Sequence, residues 1–125
     1  MSFQWSEYLA VAQHLVQHSS RSGYAEACHR AAISRAYYAA LLTARSLLST
    51  QWGVEVPETA EIHTFIARWF LNEESIEEQE IGALLDRLRN RRRRADYDDD
   101  VPNVAALAAR SLADAQAVID RLVHL

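Results

Sequence analysis

Apolar residues recur along this chain at intervals of three and four positions, the spacing that places side chains on one face of an α-helix. Five segments follow this pattern, and none shows the strict alternation that is typical of a half-buried β-strand. The chain is therefore predicted to be all-α, a five-helix bundle whose neighbours are mostly antiparallel because the connections are short. The predicted helices are a first that stops at Ser19–Gly23, a second over about Tyr24–Gln51, a third over about Thr59–Asn72, a fourth that begins after Ser75, and a fifth over about Asn103–Val123.

The fourth helix has the clearest start of the five. Ser75 and Glu78 form a capping box, in which a hydroxyl and a carboxylate satisfy backbone amides of the first turn. No apolar residue occurs in Arg89–Arg94, so we expect that end of the helix not to be buried against the core. No repeat, low-complexity linker or second-domain boundary interrupts the pattern, and residues 1–125 are expected to form a single domain.

Composition indicates where the protein works. Cys28 is the only cysteine, so no disulfide can form within the chain and secretion gains no support. The N-terminal segment Met1–Glu7 lacks the basic start and apolar run of a signal peptide. No stretch approaches the roughly 18 apolar residues of a membrane span. We therefore expect a cytoplasmic protein that does not enter a membrane.

Charge is segregated along the chain. All 13 basic residues are arginines, and six of them lie at positions 87–94. The net charge of −4 therefore describes an acidic body with one basic patch. Guanidinium groups bind phosphate bidentately and stay charged at any working pH, which favours phosphate or RNA as the ligand of this patch. A second interpretation stays open, in which the arginines pair with the aspartates of Asp96–Asp100 and only solubilise a protruding helix end.

Other kinds of site find no support in the sequence. The five histidines form no metal-ligand pattern, since His14 and His18 are one helical turn apart but have no third ligand nearby. Neither a glycine-rich phosphate loop nor a nucleophile elbow occurs. The sequence therefore predicts no metal site and no bound cofactor.

A second group of polar residues interrupts the core-facing side of the second helix. Arg30, Ser34, Tyr38 and Arg45 project on related faces of that helix. A buried Arg or Tyr needs partners, and Asp96–Asp100 would supply them if the fourth helix packs beside the second. The same residues would line an active-site cleft between the two helices, so a structural and a catalytic interpretation both stay open.

The polar part of the second helix and the arginine-rich end of the fourth together resemble the HEPN superfamily (higher eukaryotes and prokaryotes nucleotide-binding). Its members are small helical bundles that commonly form dimers. The resemblance is to a branch of small stand-alone prokaryotic proteins, spans roughly residues 5–123, and implies a five-helix bundle of HEPN type. The matching pieces are Ile33–Ala40 and Ala44–Leu48 in the second helix, His63 with Phe65 and Ile66 in the third, and Leu88-Arg89 leading to Ala95-Asp96-Tyr97-Asp98 in the fourth.

The resemblance also implies a catalytic group. Many HEPN proteins are metal-independent endoribonucleases with a motif of Arg, a polar residue and, three to five residues later, a His. The Arg stabilises the charged transition state and the His moves protons. Arg89 and Asn90 match the opening of the motif, whereas Arg94, Ala95 and Asp96 occupy the places of the His. We expect Arg89, Asn90 and Asp96 to be catalytic, with Asp96 positioning or accepting a proton.

Further residues are implicated around this motif. Arg35 and Arg91–Arg94 are expected to bind RNA phosphates. In some family toxins the antitoxin attaches AMP to a Tyr that lies two residues beyond the His. Tyr97 stands at that offset from Ala95, so it is the residue expected to accept AMP.

Two functions follow from the resemblance. The first is the toxin-like component of a toxin–antitoxin pair, a homodimer that binds tRNA or mRNA, with endoribonuclease activity, and is held by a nucleotidyltransferase-like antitoxin. The second is a catalytically inactive HEPN module that acts by protein–protein interaction with such a partner, and the missing His favours it. We favour the first because six arginines at the motif exceed what solubility requires.

Overall fold

The computed structural model describes residues 2–125, and over that range it contains five α-helices and no strand. This confirms the predicted all-α bundle. Met1, which the predicted domain includes, lies outside the described residues. The helices are α1 (Glu7–Ser22), α2 (Ala25–Ser46), α3 (Ile62–Leu71), α4 (Ile76–Tyr97) and α5 (Val104–Val123).

The central element is α2, which packs against each of the other four helices. Alanines make this close packing possible, because a methyl side chain lets neighbouring helices approach. Ala32, Ala36, Ala40 and Ala44 follow one another at four-residue intervals and are all fully buried. The helix continues into a π-helical turn at Leu47–Gln51, so the helical region ends at Gln51 as the sequence predicts.

The capping box at the start of α4 forms, with one difference from its usual pattern. The Ser75 hydroxyl accepts a hydrogen bond from the Glu78 amide at 3.1 Å, as expected. The same hydroxyl donates to the Glu78 carboxylate at 3.1 Å, in place of a bond from the Ser75 amide to that carboxylate. The helix start is fixed at the predicted residue either way.

Helices α3 and α4 are held closest together at Gly82. A Cβ atom at this position would lie 2.7 Å from Leu71 Cγ and 2.8 Å from the Ala67 carbonyl oxygen. Both distances are shorter than van der Waals contact, so the absence of a side chain sets the spacing of the two helices. His63 near the start of α3 and the arginines near the end of α4 therefore belong to one tightly packed pair.

The prediction that the arginine-rich end of α4 is not buried is wrong for one residue. Arg92 is only 8% exposed. Leu88 and Ala95, which lie on neighbouring positions of the helix, are buried as well. Arginine can be buried here because α2 supplies aromatic rings that contact its guanidinium group, whereas the sequence pattern registers only the lack of apolar residues.

Within residues 2–125, no helix combines the length and the apolar character that crossing a bilayer requires.

Candidate functional site

The arginines near the end of α4 lie on different sides of the helix, because successive residues are rotated by about 100°. Arg91 faces α5 and bonds to Asp114 at 2.7 Å. Arg94 stays at the surface and lies 3.9 Å from Asp98, one turn further along. Arg92 turns inward and lies 3.5 Å from Asp96. Pairing with the downstream aspartates thus occurs, but both of those ion pairs are long.

Arg92 occupies the centre of an aromatic group that we call the inner cluster, which consists of Tyr37, Tyr38, His63, Arg89 and Arg92. Its guanidinium carbon lies 5.5 Å from the ring centroid of Tyr37 and 5.7 Å from that of Tyr38. These distances allow cation–π attraction, which is stronger where water is excluded. The aromatic rings therefore hold the guanidinium in place without neutralising its charge.

Two guanidinium nitrogens of the inner cluster have unused hydrogen-bonding capacity. Among the described residues, neither Arg89 Nε nor Arg92 Nε has a hydrogen-bond partner, and both atoms are buried. Buried polar groups almost always have partners, so two such donors on one helix face require an explanation. Both atoms are covered in this conformation, so an anion would satisfy them once the neighbouring side chains moved aside, and it would then gain charge-assisted hydrogen bonds.

His63 joins the cluster through Tyr37. The Tyr37 hydroxyl and His63 Nδ1 are 2.7 Å apart, and the two rings stack with centroids separated by 5.7 Å. Burial raises the pKa of the Tyr37 phenol well above its usual range, so the phenol stays protonated. Burial and the charges of Arg92 and Arg89 lower the pKa of His63, which favours the neutral imidazole.

A surface cavity of about 510 Å³ opens beside the inner cluster. His63 and Tyr38 form part of its wall, together with Arg45 and the end of α2. Arg45 in turn stacks on the Trp5 ring at 5.0 Å. The cavity thus combines an imidazole, a phenol and a guanidinium at the edge of the buried arginine site.

The outer side of α4 carries a separate hollow of about 520 Å³. It is lined by Asn90, Arg93, Arg94, Tyr97 and Asp98. The Tyr97 side chain is 76% exposed, although its ring lies 6.0 Å from the Arg92 guanidinium carbon. We call this the outer face, and it presents an exposed phenol one helical turn beyond two exposed arginines.

The structure separates the three residues expected to be catalytic. Arg89 lies in the inner cluster, where its charge acts on Tyr37 and His63. Asp96 lies beside the inner cluster. Its carboxylate is 3.4 Å from the Ser34 hydroxyl and within ion-pair distance of Arg92. Asn90 instead lines the outer hollow.

The remaining predicted phosphate ligand, Arg35, is already engaged with aromatic rings. Its guanidinium carbon lies 4.8 Å from the Tyr8 centroid and 5.1 Å from the Tyr38 centroid. It therefore links α1 to the edge of the inner cluster. No group of three or more His, Cys, Asp or Glu side chains within residues 2–125 could hold a metal ion.

The sequence of the chain matches a known domain family. The model of the HEPN domain matches residues 6–125, nearly the whole chain. The chain belongs to the HEPN family. Its helical fold and its membership of a family of ribonuclease and nucleotide-binding modules agree with the resemblance seen in the sequence. No significant match to this HEPN chain was found among curated proteins or among solved structures.

In this HEPN domain, three different residues occupy the positions at which the family motif would have its His. Arg94 is exposed, Ala95 is buried against α2 and α5, and Asp96 contacts Ser34 and Arg92. The imidazole of the inner cluster comes from α3 instead, where His63 contacts Tyr37 and Tyr38. Sequence reasoning did not assign His63 a role, since its partner Tyr37 lies 26 residues away and no local spacing connects the two.

Proposed function

We propose that this HEPN chain binds RNA and acts as the toxin-like component of a HEPN/nucleotidyltransferase pair, with metal-independent endoribonuclease activity. The observation that carries the proposal is the pair of buried guanidinium nitrogens of Arg89 and Arg92 that have no partner among the described residues. An arginine held by aromatic rings keeps its full charge for an incoming phosphate. Ion pairs with aspartate at 3.5 Å or more leave that charge largely available.

The proposed chemistry uses the inner cluster to stabilise charge. Arg89 and Arg92 would bind the non-bridging oxygens of one phosphodiester, where negative charge grows in the transition state. Exposed Arg93 and Arg94 would draw in the flanking backbone of tRNA or mRNA, a contribution that depends strongly on salt. The acidic remainder of the chain would confine RNA to this end of the bundle.

The outer face would serve a protein partner. Tyr97 is exposed and lines the outer hollow together with Arg93 and Arg94, which suits transfer of AMP by a nucleotidyltransferase-like antitoxin. The arginines would attract the nucleotide phosphates of the transferring enzyme. A homodimer, which is common among the proteins this chain resembles, would bring two such ends together.

A second candidate function is a catalytically inactive HEPN module that acts through its partner alone. The observation in its favour is that Arg94, Ala95 and Asp96 occupy the motif places of the His. In that case the outer face would be the working surface, and the inner cluster would hold RNA or a nucleotide without cleaving it.

The deciding experiment incubates the purified chain with total tRNA in the presence of a metal chelator. Arg89→Ala and Arg92→Ala are compared with Arg110→Ala, an exposed arginine of α5 that makes no ion pair among the described residues. Cleavage is followed on a denaturing gel and binding by fluorescence anisotropy. Discrete fragments that both variants lose and the Arg110 variant keeps would support the endoribonuclease.

Other outcomes of this experiment separate the two candidates. Intact tRNA that is bound through Arg89 and Arg92 would favour the inactive module. Neither cleavage nor binding at low salt would refute RNA as the ligand. For the partner, co-expression with a nucleotidyltransferase-like protein and mass spectrometry should show AMP on the wild-type chain and none on Tyr97→Phe.

A further inference from the structure

We propose that His63 of α3, held by Tyr37 of α2, is the proton-transferring residue that the α4 motif lacks. This inference rests on the proposed endoribonuclease function and assigns that activity a catalytic residue outside the motif. It is carried by the position of one imidazole, bonded to a buried phenol on one side and facing a cavity on the other.

The geometry connects His63 to the phosphate site through Tyr38. The Tyr38 ring lies 5.7 Å from the Arg92 guanidinium carbon and 6.0 Å from the centroid of the His63 ring. Tyr38 thus lies next to Arg92 and also lines the cavity with His63, so a phosphate on Arg92 would direct an adjoining ribose past Tyr38 towards His63. Burial, followed by the charges of Arg92 and Arg89, lowers the pKa of His63.

Tyr37 is the positioning residue of the pair. Its hydroxyl is protonated and can accept a hydrogen from Nδ1, because a phenol has lone pairs as well as a donor. In that tautomer His63 Nε2 carries a lone pair, and no described residue bonds to it. The stacked ring of Tyr37 fixes the plane of the imidazole, so the lone pair has one direction.

The proton balance of the reaction closes on His63, while Arg89 and Arg92 stabilise the negative charge on the phosphate. His63 Nε2 takes the proton from the ribose 2′-hydroxyl, the 2′-oxygen forms a bond to phosphorus, and the bond from phosphorus to the 5′-oxygen breaks. The imidazolium then gives the same proton to the departing 5′-oxygen. The products are a 2′,3′-cyclic phosphate and a 5′-hydroxyl, and His63 returns to its starting state.

Asp96, the alternative base, is less suited to this step. Its carboxylate lies near the Ser34 hydroxyl and the Arg92 guanidinium, at 3.4 and 3.5 Å. A carboxylate is also a weaker base than a neutral imidazole at neutral pH. We therefore assign Asp96 to the positioning of Arg92.

The test compares His63→Asn and Asp96→Asn with His124→Asn, an exposed histidine beyond the end of α5. Single-turnover cleavage of a tRNA substrate is measured without metal, RNA binding by anisotropy, and folding by melting temperature. His63→Asn is expected to slow cleavage about 100-fold or more, while the RNA Kd changes less than about twofold. His124→Asn should leave both unchanged, and imidazole in the buffer should restore part of the activity of His63→Ala.

Several results would overturn the assignment. Cleavage by His63→Asn within about threefold of wild type would do so and leave the proposed function intact. Loss of RNA binding together with cleavage, or failure of imidazole to rescue a folded His63→Ala, would indicate a structural role. If the Asn variant is unfolded, His63→Gln replaces it. A wild-type chain that binds tRNA but never cleaves it would remove both this inference and the endoribonuclease activity.

Discussion

The Arg30 guanidinium of α2 donates a hydrogen bond to the Ala95 carbonyl oxygen near the end of α4, at a distance of 3.0 Å. It also donates to the carbonyl oxygens of Asp98 and Asp99, at 2.5 and 3.0 Å. The Ala95 carbonyl belongs to the last turn of α4, which leaves such groups without partners, and the other two follow the end of the helix, where a cation complements the helix dipole. One side chain of α2 therefore fixes where α4 ends.

Replacement of Arg30 by Gln should destabilise the fold. It removes charge-assisted bonds to three carbonyls, and we expect a loss of about 2 kcal/mol in the free energy of unfolding. Arg30→Lys should recover part of this loss, since the charge returns without the planar fork. Urea denaturation is the measurement, with Arg110→Gln as the control, which should change stability by less than about 0.5 kcal/mol. Equal stability of the Arg30 and Arg110 variants would contradict the capping role.

Replacement of Arg92 by Met should separate stability from function. Met keeps an unbranched apolar chain among the tyrosines, and the carboxylate that loses its partner, Asp96, is exposed, so the replacement leaves no buried charge unpaired. We expect a free energy of unfolding within about 1 kcal/mol of wild type or above it. RNA binding should weaken about 10-fold to 100-fold, the effect of losing a charged hydrogen bond. A variant that unfolds easily yet binds RNA normally would show that Arg92 serves the fold alone.

Much of the fold could be predicted from the sequence because its causes are local. The capping residue Ser75, the helix-ending Gly23 with a φ of 79°, and the alanine ladder of α2 each act within a few positions. Sequence also suggested that the polar side of α2 meets Asp96–Asp100. Ser34 makes that contact through the Asp96 side chain at 3.4 Å, whereas Arg30 makes it through backbone carbonyls, which carry no signal in the residue types.

The candidate site was less predictable because its contacts join distant parts of the chain. Helical spacing from Leu88 and Ala95 places Arg92 on the buried side of α4, unlike the exposed Arg93, but it does not show what receives the guanidinium group. The rings of Tyr37 and Tyr38 receive it, and they lie more than fifty positions earlier. The neighbours of His63 likewise come together only when α3 packs beside α2 and α4. The distance along the sequence from His63 to the motif residues therefore did not show that they lie close in space.

Replacement of Gly82 by Ala should destabilise the chain, although Ala is the better helix former by about 1 kcal/mol. The added methyl would overlap Leu71 Cγ, the Ala67 carbonyl oxygen and the Leu71 amide nitrogen. We expect a net loss of about 1–2 kcal/mol by urea denaturation. The double variant Leu71→Ala with Gly82→Ala tests the cause. It should not regain stability, because two of the three overlapping atoms belong to the backbone.

Because the pKa of His63 is lowered in the folded chain, we expect the free energy of unfolding to fall as the pH falls. Below the unfolded-state pKa of about 6.5, the unfolded chain binds a proton that the folded chain resists. The contribution of His63 is therefore present above that pH and is lost as the pH falls. Urea denaturation between pH 7.5 and pH 5, values chosen to bracket the transition, should show a steeper fall for wild type than for His63→Asn. The assigned direction would be contradicted if the free energy of unfolding of wild type minus that of His63→Asn stayed constant or rose as the pH falls.

The four consecutive arginines Arg91–Arg94 look like a simple run, but each has its own surroundings. One bonds to α5, one enters the aromatic cluster, and two line the outer face. Deletion of a single arginine would barely alter the composition. It would nevertheless rotate the side chains after the deletion by about 100° about the helix axis, relative to those before it. The length of the run therefore specifies the surface as strictly as its charge does, and two chains with the same number of arginines here need not present the same face.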